Sequence, residues 1–204
     1  MIYGAAPASH LTTLHPSLIL LSGLPGAGKS HLARALAARA PVTIISSDRI
    51  RRMLVATPTY SDDEHEFVHN ACFRLARRGL AARQVVVFDA TNLRRQHRQR
   101  FRDLAGRHQA PCHLVLVDSA EATVRARLQR RARGEANDGS DADESVYDLL
   151  RETAEPVHEH HLRLRGDGDV LAAAEAVLTL LRPEAVTPPS YHPTTWAELT
   201  SVGS

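Results

Sequence analysis

The sequence predicts an α/β fold in one domain, with a five-stranded parallel sheet covered by helices on both faces. Short apolar runs rich in β-branched residues alternate with longer segments in which apolar residues recur at helical spacing. Strands that alternate with helices pair in parallel, because each helix carries the chain back to the same end of the sheet. The length of 204 residues suits a single domain.

Composition limits the class of protein. The chain is 43% hydrophobic and 24% charged, as in ordinary globular proteins, and its net charge of +2 does not argue for nucleic acid. Cys72 and Cys112 lack metal-ligand spacing and suit a reducing cytoplasm. No apolar run approaches the roughly 20 residues that cross a bilayer, and nothing indicates an obligate protein partner. Residues 1–16 are expected to form a short extension, not a signal peptide, and residues 183–204 a tail.

A glycine-rich segment lies between the first expected strand, residues 18–21, and a helix that carries Leu32, Ala33, Leu36 and Ala37. It fits the pattern G-x-x-x-x-G-K-[ST] at every specified position. In this pattern backbone N–H groups surround a triphosphate, the lysine reaches its β- and γ-phosphates, and the final hydroxyl binds Mg²⁺. We therefore predict a site for ATP and Mg²⁺ built from Gly23, Leu24, Pro25, Gly26, Ala27, Gly28, Lys29 and Ser30.

The alternative is a turn that merely joins a strand to a helix. Lys29 argues against it, because it is the only lysine among the 25 Lys and Arg residues. Arginine serves at every other basic position, whereas a compact ammonium approaches phosphates where a planar guanidinium is too wide.

A second strand is expected at residues 42–45, and it leads into a segment that contains Asp48 and Arg51. Ligands of open α/β sheets gather outside the carboxyl ends of the strands, so Asp48 is a candidate catalytic residue. The alternative is that Asp48 only caps a helix, and both roles can hold together.

A third strand is expected at residues 85–88, ending in Asp89-Ala90-Thr91-Asn92. A carboxylate at the tip of a buried strand suits a Mg²⁺–nucleotide site opposite Ser30, although Asp89 could instead cap the next helix.

Before this strand we expect a helix over residues 61–78. Gly79 either closes this helix or begins a loop. The apolar face of the helix comprises Phe67, Val68, Ala71, Cys72, Leu75 and Ala76.

The rest of the chain continues the alternation. We expect a basic, largely solvated helix at residues 94–107, a strand at 114–117 that ends at Asp118, a short strand at 162–164 and a helix at 170–181. Between the last two strands, an arginine run and a returning arm flank a polar segment, which predicts a lid over about residues 125–150 in a domain spanning residues 17–182.

The segments GLPGAGKS, ISSDRIRR, VVVFDATNLRR and the arginine-rich lid, in this order, resemble the P-loop kinases related to polynucleotide kinase. That group includes zeta-toxin-like, chloramphenicol-phosphotransferase-like and gluconate-kinase-like enzymes. The resemblance covers residues 18–181. It implies a P-loop NTPase fold with strand order 2-3-1-4-5 and ATP-dependent phosphate transfer to a hydroxyl acceptor.

The resemblance also implies roles for residues. Asp48 would be the general base, with Lys29 and Arg51 also catalytic and Arg51 contacting substrate. Ser30 and Asp89 would hold the metal, and Asp48, Arg51, Asp89 and Asn92 would bind the acceptor. The lid would supply Arg127, Arg130 and Arg131 to the nucleotide. Residues 139–142 and Glu155-Pro156 depart from the polynucleotide-kinase pattern toward small-molecule kinases, which leaves the acceptor open.

Two classes of function are compatible with this sequence. One is a kinase acting on a polynucleotide 5′-end or on a sugar, nucleoside or antibiotic. The other is a nucleotide-switch ATPase that acts on a partner. The pair Asp48 and Arg51 and the lid favour the kinase, because a switch does not need them. Scarce aromatic residues weigh against a nucleic-acid surface.

Overall fold

The computed structural model describes residues 14–135 and 142–182. The strands of this part of the chain are β1 (Leu18–Ser22), β2 (Val42–Ser46), β3 (Val85–Asp89), β4 (Cys112–Asp118) and β5 (His161–Arg165). They form one parallel sheet in the order β2-β3-β1-β4-β5. The predicted fold class and strand order are confirmed.

Helices cover both faces of the sheet. They are α1 (Lys29–Ala37), α2 (Ser47–Leu54), α3 (Asp62–Ala81), α4 (Arg95–Arg107), α5 (Glu121–Ala132), α6 (Glu144–Thr153) and α7 (Val170–Leu180). Within the described ranges no helix is both long and apolar enough to span a membrane. The tip of the expected lid, residues 136–141, lies outside the described residues, as do residues 1–13 and 183–204.

The central strand β1 is buried on both faces. Leu18 and Leu20 belong to the core cluster that contains side chains of α3 and α4, whereas Ile19 and Leu21 pack with α1 and α7. Successive side chains of a strand point to opposite faces, so an uninterrupted apolar run is needed where both faces are covered. The C-terminal edge of this sheet carries the segments expected to form the site.

Helix α3 is longer than predicted, because Gly79 lies inside it. A Cβ on Gly79 would stand 2.6 Å from Val86 Cγ2, so the glycine permits close approach of the helix to β3 and does not end it. The predicted apolar face is only partly right. Val68, Cys72 and Ala76 are buried, but Phe67 and Leu75 are exposed.

The basic helix α4 is not wholly solvated as expected, because Arg98 is 0% exposed. Its Nε and Nη2 donate to the two carboxylate oxygens of Glu159, at 2.9 and 3.2 Å. Nη1 donates to the carbonyls of Leu93 at 2.8 Å and Asn92 at 3.1 Å, and Nη2 also donates to that of Pro156 at 3.1 Å. Arg98 therefore ties the segment after β3 to the segment before β5.

We predict that Arg98→Met lowers the free energy of unfolding by about 3–5 kcal/mol, because it leaves the Glu159 carboxylate poorly hydrated and without its partner. Urea denaturation measures the change. Arg95→Met, on the exposed side of the same helix, is the matched control and should cost less than about 0.5 kcal/mol. Equal effects of the two substitutions would contradict the structural role of Arg98.

Candidate active site

The glycine-rich loop predicted to bind phosphate is held in place through its carbonyl oxygens. Lys29 Nζ donates to the carbonyls of Gly23 at 2.8 Å and Leu24 at 2.9 Å. Arg127 Nη1 donates to the carbonyl of Gly26 at 2.9 Å, and Ser119 Oγ donates to that of Ala27 at 3.0 Å. Carbonyl oxygens repel phosphate, so these bonds favour a loop that presents its N–H groups to an anion.

The turn after β5 packs directly against this loop. The Gly166 N–H donates to the Asp118 carbonyl at 2.6 Å, and Arg127 Nη2 donates to the Gly166 carbonyl at 3.0 Å. A Cβ on Gly166 would lie 1.8 Å from the carbonyl oxygen of Ala27. Gly28, with φ of 105°, starts α1 from the left-handed region that glycine tolerates.

Ser30 and Asp89 meet at the mouth of the loop, as predicted for a metal pair. Ser30 and Lys29 both lie near enough to the Asp89 carboxylate to lower its pKa. Burial raises the pKa of Asp89, while Lys29 and Ser30 oppose that rise. No cluster of three or more metal-binding side chains occurs among the described residues. A hydroxyl and one carboxylate suit Mg²⁺, which takes its other ligands from water and nucleotide phosphates.

Asp48 is not the cap of its helix. Helix α2 begins after Ser46, whose Oγ accepts the N–H of Arg49, so Asp48 lies in the first turn. Its charge is close enough to raise the pKa of Asp89, although less than burial does. Helix α4 likewise starts after Arg94, so Asp89 does not cap it. The capping alternative is therefore excluded for both carboxylates.

One cavity of about 550 Å³ connects these groups. Its lining comes from the P-loop and α1, from α2 and the segment after it, from the segment after β3, and from α5 and α6. Lining residues predicted from sequence are Pro25, Gly26, Gly28, Lys29, Ser30, Asp48, Arg51, Asp89, Arg127, Arg130 and Arg131. The structure thus brings most of the predicted site together around a single space.

Arg51 lines this cavity, but its charge is already paired. It forms a hydrogen-bonded ion pair with Glu64, and both side chains are largely buried. The other oxygen of Glu64 accepts from the Thr59 N–H at 2.6 Å, the Thr59 hydroxyl at 2.8 Å and the Tyr60 N–H at 3.2 Å. Arg51 and Glu64 therefore organise the wall between α2 and α3.

Asn92, predicted to bind substrate, is absent from the cavity lining. It is buried, and its Nδ2 donates to the Leu21 carbonyl at 2.6 Å. The neighbouring Thr91 carbonyl accepts the N–H of Gly23 at 3.0 Å and the hydroxyl of Ser22 at 3.2 Å. The segment after β3 therefore supports the start of the loop through these hydrogen bonds.

Helices α5 and α6, which fall in the segment expected to form a lid, are joined by ion pairs around Arg125. Its guanidinium contacts Glu121 at 2.8 Å, Asp148 at 2.7 Å and Glu144 at 3.4 Å, and Arg151 contacts Glu121 at 2.8 Å. The three predicted lid arginines differ. Arg127 binds loop carbonyls, Arg131 donates to the Ala142 carbonyl, and Arg130 is exposed beside Glu135.

Sequence reasoning missed several residues that shape the site. Ser119 lies 92 residues from the Ala27 carbonyl that it binds, Gly166 is still farther along the chain, and neither belongs to the motif. Glu64 follows Asp62 and Asp63 at the start of a helix, where acidic residues are common, so the sequence carries no signal of its structural role. A glycine directly after a strand is the sole sequence signal that could have pointed to Gly166.

Three histidines cluster beside the α2–α3 wall. The ring centroid of His69 lies 6.0 Å from that of His65 and 4.3 Å from that of His97, and the centroids of His65 and His97 are 5.5 Å apart. His69 also packs against Phe88 and Phe101. Burial lowers the pKa of His69 to about 3 and also lowers the pKa values of His65 and His97. These imidazoles are therefore neutral near pH 7 and add no charge to the cavity.

The fold and this site define a P-loop nucleotide-binding protein. A family model described as an AAA domain matches residues 18–157, so the chain belongs to that AAA-domain family. A comparison with curated proteins found no match.

Solved structures with the same fold include P-loop kinases. The Mycobacterium tuberculosis APS kinase CysC, in complex with AMPPNP and APS, has a TM-score of 0.63 and 18% identity, covering 83% of this chain and 99% of that one. Chaetomium thermophilum Kti12, in complex with ADP-AlF3, gives 0.64 and 19%, covering 80% and 98%. A gluconokinase of Sinorhizobium meliloti 1021 gives 0.61 and 20%, covering 83% and 93%. The resemblance to P-loop kinases is confirmed for the fold, while the polynucleotide-kinase group stays a prediction.

We predict that Gly166→Ala loosens the nucleotide site. The new methyl group must displace the Ala27 carbonyl, which should cost about 1–3 kcal/mol of stability and weaken ATP binding roughly tenfold to a hundredfold. Calorimetric titration with ATP measures the affinity. Gly168→Ala, whose Cβ meets only ordinary contacts at 3.5 Å, is the control and should bind as the parent does.

Glu64 should make stability depend on pH in the acid range. The Thr59 backbone N–H lowers the pKa of Glu64 from 4.5 to about 2, with Arg51 adding to the effect. Because the folded state holds the lower pKa, this stabilisation is complete above pH 4.5 and is lost as pH falls toward 2. The difference in urea midpoint between the parent and Glu64→Gln should shrink over that interval. Glu66→Gln, at an exposed position, should show a small and nearly constant difference.

Proposed function

We propose that this protein is an ATP-dependent kinase that transfers the γ-phosphate to the hydroxyl group of an acceptor. The observation that carries the proposal is the position of Asp48. It lines the same cavity as Lys29, Ser30 and Asp89, yet it neither caps a helix nor belongs to the phosphate loop. A second carboxylate facing the phosphates suits activation of a hydroxyl, and a nucleotide switch has no need of one.

Positively charged groups in the cavity would neutralise the phosphate charge of the nucleotide. Lys29 can exchange its bonds to the Gly23 and Leu24 carbonyls for the β- and γ-phosphates, since a triphosphate is the stronger partner for an ammonium. Ser30 and Asp89 would hold Mg²⁺, which when bound neutralises phosphate charge. Arg130 and Arg131 line the cavity from the lid side and can stabilise charge that develops in transfer.

Similar structures support a nucleotide ligand. The APS kinase is described with AMPPNP and the Kti12 protein with ADP-AlF3. We extend nucleotide binding to this chain because its loop fits the phosphate-binding pattern and because side-chain donors bind the carbonyl oxygens of that loop. Cys72 and Cys112 are free thiols, which agrees with a cytoplasmic protein. The acceptor belongs to the small-molecule or polynucleotide 5′-end class, and the phosphate goes to an alcohol oxygen.

Asp48→Asn tests the proposal. Asparagine keeps the size of the side chain, and Ser46 caps the helix in either case, so melting temperature and ATP affinity should stay near those of the parent. Transfer of labelled phosphate from ATP to an alcohol acceptor should fall by roughly 10² to 10⁴. Lys29→Ala provides the contrast, because it should lose ATP affinity together with turnover.

The outcomes separate kinase from switch. Acceptor-dependent ADP release by the parent, lost in Asp48→Asn, supports the kinase. If Asp48→Asn keeps transfer within a few-fold, Asp48 is not the base. Release of ADP that no acceptor stimulates would rule out the kinase proposal.

A further inference from the structure

The cavity that Asp48 lines also has exposed apolar and aromatic side chains in its wall. Among the large apolar side chains that are strongly exposed in the described residues, three line this cavity: Tyr60 is 54% exposed, Leu149 60% and Val146 38%. Tyr60 comes from the segment between α2 and α3, whereas Val146 and Leu149 lie on α6. Exposed apolar groups that converge on a concave site mark a ligand-binding surface.

The backbone of Tyr60 is held in an unfavourable conformation. Its φ is 57°, in the left-handed region that bulky residues seldom adopt. Glu64 fixes it there by accepting the N–H groups of both Thr59 and Tyr60 on one carboxylate oxygen. Strain of this kind persists where surrounding contacts enforce it, and it concentrates at ligand sites.

The ring of Tyr60 is also fixed. The Arg51 guanidinium carbon lies 4.7 Å from the ring centroid, so the cation packs on the aromatic face. Arg51 cannot swing away, because Glu64 holds it in an ion pair and His65 Nδ1 lies 3.5 Å from its Nη2. The result is a rigid aromatic surface at the edge of the cavity, with its orientation set before any ligand arrives.

We infer that the acceptor is an alcohol that carries a planar, unsaturated ring, and that this ring stacks on Tyr60 while its hydroxyl reaches Asp48. The inference rests on the proposed kinase function and names its substrate class. Val146 and Leu149 would cover the ring from the side of the lid. A nucleoside and the 5′-hydroxyl end of an oligonucleotide both present this chemistry, a hydroxyl about one sugar away from a flat ring.

The transfer step is a simple displacement. The acceptor oxygen forms a bond to the γ-phosphorus as the bond from that phosphorus to the β-phosphate oxygen breaks. The hydroxyl proton passes to Asp48, and ADP leaves with the bond electrons. A ringless polyol would place its additional hydroxyls against Tyr60, Val146 and Leu149, where two of the three side chains offer no hydrogen bond, so it should bind less well.

A matched pair of acceptors tests the ring directly. Uridine and methyl β-riboside share the sugar, but a methoxy group replaces the base in the second compound. Binding is measured by calorimetry with the protein saturated by a non-hydrolysable ATP analogue, so the result does not depend on turnover. A 5′-hydroxyl oligonucleotide is titrated in parallel to show which source of the ring is preferred.

Three variants isolate the stacking contact. Tyr60→Asn removes the ring but suits the left-handed backbone, so the protein should fold at least as well. Its affinity for uridine or the oligonucleotide should fall roughly 5- to 150-fold, the range for loss of one base–aromatic stack, while its affinity for ATP stays unchanged. Tyr60→Phe should stay within about threefold of the parent. Phe67→Gln, an exposed aromatic residue outside the cavity, is the control and should bind as the parent does.

The outcomes of this test differ from those of the kinase test. Ring-bearing acceptors that bind at least about tenfold better than methyl β-riboside, with loss in Tyr60→Asn and retention in Tyr60→Phe, support the inference. Equal binding of uridine and methyl β-riboside, or full affinity in Tyr60→Asn, overturns it while leaving the kinase proposal intact. Ring-dependent binding through Tyr60 together with ADP release that neither uridine nor the oligonucleotide stimulates would support the ring site and overturn the kinase proposal.

Discussion

The site depends on how the carbonyl oxygens of the phosphate loop are satisfied. A loop that binds an anion through its N–H groups must direct its carbonyls elsewhere, and each buried carbonyl needs a donor. Ser119 and Arg127 donate to the carbonyls of Ala27 and Gly26, and the Thr91 carbonyl receives the N–H that begins the loop. Lys29 adds bonds to the Gly23 and Leu24 carbonyls that a bound triphosphate would replace. Contacts from α5 and from the segments after β3, β4 and β5 therefore converge on eight residues, so the shape of the loop depends on segments that are distant in sequence.

Arginines with the same charge perform different physical tasks in this chain. Arg98 is buried and joins the segment after β3 to the segment before β5. Arg51 is paired with Glu64, and Arg125 joins α5 to α6. Arg127 binds backbone carbonyls, which makes it part of the loop's support as well as of the cavity wall. The guanidinium suits these tasks because its planar array of donors can bind several oxygens at once.

Glu64 connects two parts of the cavity wall, α2 and the segment that leads into α3. One of its oxygens pairs with Arg51 beside Asp48, and the other holds the backbone of Thr59 and Tyr60. A single carboxylate thus sets the position of a cation, the backbone of a strained residue and the orientation of an aromatic ring. Such preorganisation would lower the entropic cost of ordering the protein surface when a ligand binds in this cavity, because the surface is already in place.

The sequence by itself determined the order of strands and helices and the phosphate loop, because both rest on local patterns: apolar periodicity and a contiguous motif. It also placed Asp48 and Asp89 at the correct strand ends, since parallel strands share one carboxyl edge. Only the tertiary structure decided that Arg98 is buried, that Gly79 lies within α3, that Asn92 lies outside the cavity, and that Gly166 contacts Ala27. Those outcomes depend on contacts between segments that are distant in sequence. Such contacts leave no periodic pattern in the sequence of a single chain.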